Sequence, residues 1–295
     1  MPEPTAAVLG TGRMGSAMAE RLAAQGITVI LYNRTPDRAV ELAERIGARA
    51  AATPAIAAAE ADVIITMVAD DAAVRALFGG PDGIAAGIRL GAVAVDMSTV
   101  LPATIRSIAA GIEATGAGIL DGPVSGSVTS TLAGELTIMV GGEPADFERA
   151  RPILDRLAKR LFHLGPLGTG AAMKLAVNTL IYGLNGALSE GLVLAERNGI
   201  DRGLAYDVLA ASAAGAPFVA YKRAAFVEPE ATPVAFSLTL AEKDLHLIDE
   251  LAGASRTPMP QAKVNLEQIQ AATRSAGGDA DLSMVASHLR EEGRR

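Results

Sequence analysis

Residues 6–15 read Ala-Ala-Val-Leu-Gly-Thr-Gly-Arg-Met-Gly, a short apolar run followed at once by a glycine-rich turn. The run Ala6–Leu9 predicts a buried β-strand, and the residues after the turn, as far as about Gln25, predict a helix. Gly10, Gly12 and Gly15 form the pattern G-x-G-x-x-G at the junction of the two elements. A first glycine there permits a tight turn, the second lets the backbone approach a pyrophosphate, and the third lets helix and strand pack closely.

This strand–turn–helix context predicts a dinucleotide phosphate site, because a helix N-terminus presents free N–H groups and the positive end of its dipole. The alternative is a plain glycine-rich turn. We therefore expect the cofactor to contact the six residues of the turn: Gly10, Thr11, Gly12, Arg13, Met14 and Gly15.

The end of the second predicted strand, residues 27–32, bears on the choice between NAD and NADP. NAD sites usually place an acidic residue there for the ribose 2′-hydroxyl. This chain has Asn33-Arg34-Thr35 instead. Because a guanidinium can pair with a 2′-phosphate and Asn33 and Thr35 can donate hydrogen bonds to it, we predict that NADP(H) is preferred over NAD(H). The alternative is that Arg34 is an ordinary surface residue.

Short apolar runs continue through the first half of the chain, at residues 63–67, 93–96, 136–140 and 161–164. They alternate with helical segments and lack strict apolar–polar alternation, which is typical of strands covered on both faces. The pattern predicts a parallel, doubly wound sheet in an N-terminal Rossmann domain, residues 1–164.

The β pattern ends near Gly165. Residues 168–198 predict one long helix, and breakers then separate five further helical segments, at 202–213, 218–226, 238–251, 260–275 and 282–290. We therefore predict an α/β fold in which a long interdomain helix joins the Rossmann domain to an all-α C-terminal domain, together residues 165–295.

The composition narrows the class of protein. Of 295 residues, 50% are hydrophobic and 20% are charged, which supports a sizeable core and argues against disorder. The formal net charge of −7 argues against a nucleic-acid or anionic-membrane partner. Without cysteine, and with 3 scattered histidines, neither a disulfide framework nor a metal site is expected.

No targeting or membrane-spanning segment is expected either. The N-terminal run MPEPTAAVLG lacks the basic region of a secretory signal, and the longest uncharged apolar stretch, residues 175–189, contains two asparagines. These features predict a soluble, cytoplasmic protein.

Small residues recur every four positions on the predicted long helix, at Gly183, Ala187, Gly191 and Ala195. They share one face and would let another backbone approach closely. This stripe is consistent with ordinary helix packing inside one chain or with a helix–helix contact across a dimer.

Lys174 has a side chain that can give and take a proton. Reduction of a carbonyl requires a hydride donor and a proton for the developing alkoxide. Lys174 lies on the long helix between apolar Met173 and Leu175, and desolvation can bring a lysine pKa toward neutrality. Asn178, four residues on, shares its face and can orient the substrate oxygen or the lysine. A lone helical lysine is more often a solvated surface residue.

Two further groups follow predicted strands. Ser125-Gly126-Ser127 offers two hydroxyls and a glycine backbone, which can bind a carboxylate or form a simple turn. Ser98 and Thr99 follow the strand that ends at Asp96, at the carboxyl edge where open α/β sheets bind ligands.

Five segments together carry a family resemblance over essentially the whole chain: residues 10–15 (GTGRMG), 96–99 (DMST), 121–127 (DGPVSGS), 170–178 (GAAMKLAVN) and 243–245 (KDL). The sequence resembles the β-hydroxyacid dehydrogenase family, which includes 3-hydroxyisobutyrate dehydrogenases. The NRT and GPVSGS segments favour its glyoxylate/succinic semialdehyde reductase branch.

The resemblance implies roles for individual residues and an active site in the cleft between the two domains. Lys174 would be catalytic and Asn178 would orient the substrate, while residues 125–127 would hold its carboxylate. The cofactor-contacting residues implied in addition are Val68, Ala69, Ser98, Thr99 and Lys243. Asp244 would orient Lys243, and Phe236 either covers the nicotinamide or belongs to the core. Lys243 and Asp244 are otherwise an exposed charge pair.

The resemblance thus implies an NADP(H)-dependent oxidoreductase for a short hydroxy or oxo acid of the 3-hydroxyisobutyrate, succinic semialdehyde or glyoxylate type. It also implies a homodimer or homotetramer formed through the C-terminal helices. Val177 stands where 6-phosphogluconate dehydrogenases carry histidine, which argues against sugar-phosphate decarboxylation. Two alternatives are an imine reductase, which usually lacks the lysine at position 174, and a non-catalytic dinucleotide-binding module.

Overall fold

The structure is a computed structural model that describes residues 4–292. Residues 1–3 and 293–295, at the outer ends of the two predicted domains, lie outside this range. Residues 1–3 also belong to the N-terminal run that is not expected to be a secretory signal. The chain forms two compact units, Met1–Lys174 and Leu175–Arg295, which divide inside the long helix. The domain boundary at 164/165, drawn where the β pattern ends, stays a prediction.

The first unit contains a mixed sheet whose strands, within residues 4–292, are β1 (Ala6–Leu9), β2 (Val29–Tyr32), β3 (Arg49–Ala50), β4 (Val63–Thr66), β5 (Val93–Asp96), β6 (Gly118–Asp121), β7 (Val124–Ser125), β8 (Leu136–Gly142) and β9 (Ala158–His163). Their order is β3-β2-β1-β4-β5-β6-β8-β7, with β9 paired to β8. The strands β3, β2, β1, β4, β5 and β6 are parallel to one another. β2 and β3 lie on one side of β1, and β4 to β6 lie on the other, so the strand order reverses at β1. The carboxyl ends of β1 and β4 therefore form the expected ligand crevice.

The sheet is not parallel throughout, and that part of the prediction is wrong. β8 runs antiparallel to both β6 and β7. These two strands pair with β8 one after the other in a single register, from Leu120↔Gly142 to Ser125↔Thr137. Residues 126–135 connect β7 to β8, fewer than the dozen or more that a parallel crossover requires. The short connection therefore turns the chain back on itself. The short strand β3 was not predicted, and the strand expected before residues 125–127 was given no bounds; it is present as β6 and β7.

Helices cover both faces of the sheet, as expected. They are α1 (Arg13–Ala24), α2 (Pro36–Ile46), α3 (Pro54–Glu60), α4 (Asp71–Phe78), α5 (Ile84–Gly87), α6 (Pro102–Glu113), α7 (Val128–Ala133) and α8 (Pro144–Leu157). Along β1, Ala6 and Val8 enter one apolar cluster while Ala7 and Leu9 enter the other. Burial on both faces explains why these strands read as continuous apolar runs.

The long helix is confirmed as α9 (Thr169–Arg197), and the chain that follows it is helical. The later helices are α10 (Arg202–Ala211), α11 (Pro217–Val227), α12 (Leu238–Ser255), α13 (Pro260–Ala276) and α14 (Met284–Glu292). Each lies within a few residues of its predicted span. The Rossmann-like domain and the all-α region after it are therefore confirmed.

Residues 4–292 contain neither a membrane-spanning helix nor a metal-binding cluster. No helix in this range is long and apolar enough to cross a membrane. The same range holds no group of three or more His, Asp or Glu side chains suited to a metal ion. The cytoplasmic location stays a prediction.

Candidate active site

The glycine-rich turn between β1 and α1 leaves open space in front of the helix. Gly10 has φ 101°, and a Cβ added there would overlap the carbonyl oxygen of Met67. A Cβ at Gly15 would overlap the carbonyl oxygen of Gly10. In contrast, no atom of residues 4–292 lies within 4 Å of a Cβ built at Gly12. The first and third glycines are thus required by packing, whereas the second preserves room for a ligand.

The donor groups at this turn fit a dinucleotide phosphate. The first turn of α1 contains no acidic residue, and its N-cap, Gly12, offers no side-chain cap. The first N–H groups of the helix therefore remain available to an anion. Thr11 Oγ1 is buried and has no hydrogen-bond partner within residues 4–292. Arg13 is exposed, and the sulfur of Met14 accepts a hydrogen bond from Thr131 of α7 at 3.7 Å.

Of the residues predicted to select NADP, Asn33 holds the backbone in place, whereas Arg34 and Thr35 are exposed. Asn33 Oδ1 accepts the N–H of Thr11 at 3.1 Å, and Asn33 Nδ2 donates to the carbonyl oxygen of Thr35 at 3.0 Å. Its amide thereby ties the glycine-rich turn to the end of β2. Arg34 and Thr35 are exposed, and Thr35 precedes α2 without capping it through its side chain.

At the carboxyl ends of β4 and β5, two predicted cofactor residues contact each other. Ser98 Oγ accepts the N–H of Val68 at 3.0 Å and donates to Asp96 Oδ1 at 2.9 Å. Thr66 Oγ1 donates to the same oxygen at 2.5 Å. Ala69, beyond Val68, is exposed, and Thr99, beyond Ser98, is half-buried.

Asp96 is 1% exposed, and its Oδ2 has no hydrogen-bond partner within the described chain. Burial raises the pKa of Asp96 to about 6, against the opposing hydrogen bonds from Thr66 and Ser98. The charge of Asp121, its register partner on β6, contributes to this increase in the pKa.

The predicted carboxylate-binding loop begins at the end of β7. Ser125 is the last residue of that strand and is half-buried. Gly126 has φ 150°, and an added Cβ there would lie 2.7 Å from Leu136 Cδ2. Ser127 is the N-cap of α7, where its Oγ accepts the N–H of Ser130 at 3.2 Å. The hydroxyl of Ser127 therefore also has a local structural contact.

Lys174 and Asn178 lie one turn apart on α9, as the spacing predicts. Lys174 is half-buried and Asn178 is buried. The start of the helix is held by Asp121, whose carboxylate accepts the N–H groups of Gly168 and Ala171 at 2.7 and 2.6 Å.

In the second unit, one buried carboxylate organises the predicted site residues. Asp244 is 2% exposed, and its Oδ2 accepts hydrogen bonds from Asn178 Nδ2 and Tyr182 Oη, each at 2.7 Å. Lys243 Nζ lies 2.9 Å from Asp244 Oδ1. Within residues 4–292 that oxygen receives no hydrogen bond of regular geometry, so the contact is an ion pair. Burial, together with the charge and hydrogen bond of Asp244, raises the pKa of Tyr182 well above its usual value, so the phenol stays a donor.

Sequence reasoning gave no role to Tyr182 or to Asp121. Tyr182 could have been found as the residue one turn beyond Asn178 on the same helical face. Asp121 stands in the quoted segment 121–127, but its partners lie about 50 residues away in the chain.

The chain is similar to known proteins along most of its length. Residues 5–165 match the NAD binding domain of 6-phosphogluconate dehydrogenase, and residues 168–289 match the NAD-binding domain of NADP-dependent 3-hydroxyisobutyrate dehydrogenase. The chain is 35% identical to glyoxylate/succinic semialdehyde reductase 1 of Arabidopsis thaliana, over 94% of this chain and 95% of the relative. The chain belongs to the β-hydroxyacid dehydrogenase family. The predicted family and enzyme class are confirmed: this dehydrogenase is an NAD(P)-dependent oxidoreductase.

Two solved structures extend the comparison of the dehydrogenase. A 3-hydroxyisobutyrate dehydrogenase of Salmonella typhimurium superposes with a TM-score of 0.87 at 28% identity, covering 97% of this chain and 99% of that one. An imine reductase of Pseudomonas sp. superposes with a TM-score of 0.65 at 21% identity, covering 97% and 99%. The second likeness concerns the fold alone.

The glycine-rich turn of the dehydrogenase allows a paired test. Gly12→Ala should leave the melting temperature within about 2 °C of wild type, because no described residue lies within 4 Å of the added methyl group. It should weaken NADPH binding by about tenfold to a hundredfold, since a methyl forced against a ligand costs about 1–3 kcal/mol. Gly15→Ala should instead destabilise the fold. Thermal melts and NADPH titration decide; unchanged NADPH affinity in Gly12→Ala would place the pyrophosphate elsewhere.

Burial of Asp96 in the dehydrogenase predicts a pH dependence of stability. A carboxyl whose pKa is raised to about 6 binds its proton more tightly in the folded state, so stability falls as pH rises from about 4 to above 6. The shift corresponds to about 3 kcal/mol. In urea titrations, Asp96→Asn should gain that amount relative to wild type between pH 4 and pH 7. Asp155→Asn, at an exposed carboxylate, should show no such trend; parallel curves for Asp96→Asn and wild type would refute the prediction.

Proposed function

We propose that this dehydrogenase interconverts a short oxo acid and its hydroxy acid with NADP(H), and that Lys174 donates and accepts the proton. The candidate substrates are of the glyoxylate, succinic semialdehyde and 3-hydroxyisobutyrate type. The observation that carries the proposal is the turn of α9 on which Lys174 precedes Asn178, with the amide of Asn178 held by buried Asp244. The relatives named glyoxylate/succinic semialdehyde reductase and 3-hydroxyisobutyrate dehydrogenase support the substrate class.

The proposed roles follow from the chemistry of each side chain. A bound nicotinamide supplies or accepts the hydride. Lys174 Nζ protonates the substrate oxygen during reduction and takes the proton back during oxidation. Asn178 Nδ2 donates a hydrogen bond to Asp244, which fixes the plane of the amide. The fixed amide then orients the substrate oxygen. Ser98 and Val68 brace the carboxyl ends of the strands against the cofactor.

The substrate carboxylate is assigned to residues 125–127. Ser125 contributes a hydroxyl at the end of β7, and Gly126 contributes backbone without a side chain in the way. Ser127 lies at the start of α7. Its Oγ already accepts the N–H of Ser130, so its hydroxyl is only partly available to the substrate. Such a loop binds a carboxylate through N–H and O–H donors.

The first test measures NADPH oxidation with glyoxylate, succinic semialdehyde and a cyclic imine. Turnover of an aldehyde acid well above that of the imine supports the proposal. Turnover of the imine alone would favour an imine reductase, for which the solved relatives here supply only a likeness of fold. NADPH binding without turnover of any of the three would favour the non-catalytic module.

The NADP preference is assigned to Arg34 and Thr35, which are exposed at the end of β2. A guanidinium–phosphate hydrogen bond contributes about 1.5–3 kcal/mol. Arg34→Ala should therefore raise the KM for NADPH by about tenfold to a hundredfold and change the KM for NADH little. Arg45→Ala, at the far end of α2 and paired with Glu20, is the matched control. An equal effect of Arg34→Ala on both cofactors would remove the assignment.

We also propose that the chain forms a homodimer or homotetramer through its C-terminal helices. Leu180 and Leu194 are 65% and 67% exposed, at either end of the small-residue stripe. Between them, Ala187 is exposed, and a Cβ at Gly183 would meet no atom of the described chain within 4 Å. Light scattering should give a mass of two or four chains, and Leu180→Lys should reduce it.

A further inference from the structure

Asp121 connects the strand that leads to the 125–127 loop with the start of the helix that carries Lys174. Its Oδ1 accepts the N–H of Gly168 at 2.7 Å, and its Oδ2 accepts the N–H of Ala171 at 2.6 Å. N–H groups at a helix N-terminus have no partner inside the helix. One carboxylate therefore satisfies two donors at the start of α9, that of Gly168 just before the helix and that of Ala171 in its first turn. All of these residues belong to the first compact unit.

This contact differs from an ordinary helix cap. Ser127 and Ser237 cap their helices locally, each through one hydroxyl and a single N–H three residues on. Asp121 reaches α9 from a strand about 50 residues earlier and uses both of its oxygens. It is also fully buried, an environment that raises the pKa of a carboxyl group and disfavours its charge. A neutral local cap would avoid that cost, so helix stability alone does not explain the residue.

The surroundings of Asp121 leave little room for the helix to shift. A Cβ added at Gly141 of β8 would lie 2.5 Å from Asp121 Oδ1. A Cβ added at Gly170 would lie 2.9 Å from Asp121 Oδ2 and would overlap the carbonyl oxygen of Met139. The first turn of α9 therefore fits against β6 and β8 with both glycines in close approach.

Lys174 follows Ala171 by three residues, which is about 4.5 Å along the helix axis. Ser125 follows Asp121 by four residues in the same ladder with β8. We propose that Asp121 is a positioning residue: by clamping the start of α9 to β6, it fixes Lys174 relative to the loop that receives the substrate carboxylate. This inference rests on the proposed role of Lys174.

The test compares Asp121→Asn with Asp201→Asn in the full chain, below their melting temperatures. Asp201 is the control because it caps α10, accepting the N–H of Leu204 at 3.0 Å, on a helix without an assigned site residue. Asp121→Asn should lower kcat for the oxo acid by about 10- to 100-fold, with NADPH affinity within about twofold of wild type. Asp201→Asn should leave both unchanged. If Asp121→Asn does not fold, the smaller Asp121→Ser is measured in the same way.

A double-mutant cycle separates this inference from the proposed function. If Asp121 acts through Lys174, adding Asp121→Asn to Lys174→Met should cause little further loss of kcat. A wild-type kcat in folded Asp121→Asn, with only a lower melting temperature, would overturn the positioning role and leave the role of Lys174 standing. A full additive loss in the double variant would overturn it as well. Wild-type turnover in Lys174→Met would overturn both.

Discussion

Lys174→Met should lower kcat for reduction of the oxo acid by about 10²- to 10⁴-fold, the range that a positioned general acid contributes. Methionine keeps an unbranched chain in the helix but cannot give or take a proton. Affinity for NADPH should change little, because the turn that fits the phosphates belongs to β1 and α1. Stopped-flow measurement of hydride transfer, with NADPH and substrate both saturating, reports on the chemical step directly.

Lys263→Met is the matched control for Lys174→Met. Lys263 is an exposed lysine on α13, so its replacement removes a charge from a helix without touching an assigned residue. Turnover in this control should equal that of wild type. A Lys174→Met enzyme that keeps more than about a tenth of the wild-type kcat would show that the proton comes from another group.

Lys222→Met should destabilise the second unit by about 3–5 kcal/mol, the usual result of leaving a buried charge without its partner. Lys222 Nζ lies 2.7 and 2.9 Å from the two oxygens of Asp281, and the side chains are 3% and 9% exposed. Asp281 also accepts N–H groups of Ala235 and Phe236, so the segment before α12 should loosen. Urea unfolding and hydrogen exchange would measure both effects.

The neighbouring residue provides the control for Lys222→Met. Arg223 pairs with Asp207 on the surface, at 2.6 Å, and Arg223→Met should change stability little. Burial alone would raise the pKa of Asp281, but the charge and hydrogen bond of Lys222 hold it below its usual value. Without Lys222 the charged form of Asp281 is destabilised, and protonation at low pH relieves this. The difference in stability between Lys222→Met and wild type should therefore shrink as the pH falls. Equal losses in the two variants would contradict the prediction.

The parts of the fold that depend on local pattern were predictable from the sequence. The run 6–15 decides β1, the turn and α1, and the unbroken helical pattern of 168–198 decides α9. The antiparallel β8 was missed because strand direction depends on the pairing partner and the connection length, not on the strand's own residues. β3 and β7 have two residues each, too few for any period to be visible.

The candidate site shows the same division between local and distant information. Residue types and spacing single out Lys174 and Asn178, but the partner of Asn178 lies 66 residues away in the chain. The cofactor contact of Asn33 stays a prediction, and its amide also holds Thr11 and Thr35 through hydrogen bonds that the sequence does not reveal. Hydrogen bonds between distant segments are a property of the folded chain, and one sequence does not display them.

The bracing amide of Asn33 also bears on efforts to re-engineer coenzyme choice. Asn33→Asp, the obvious substitution toward NAD, would keep an acceptor for the Thr11 N–H but would set a carboxylate oxygen against the carbonyl oxygen of Thr35. Repulsion there would disturb the turn that both coenzymes need. An acid at position 33 would therefore act on the turn geometry as well as on the ribose, so a switch of coenzyme calls for a compensating change near Thr35 before the acid is introduced.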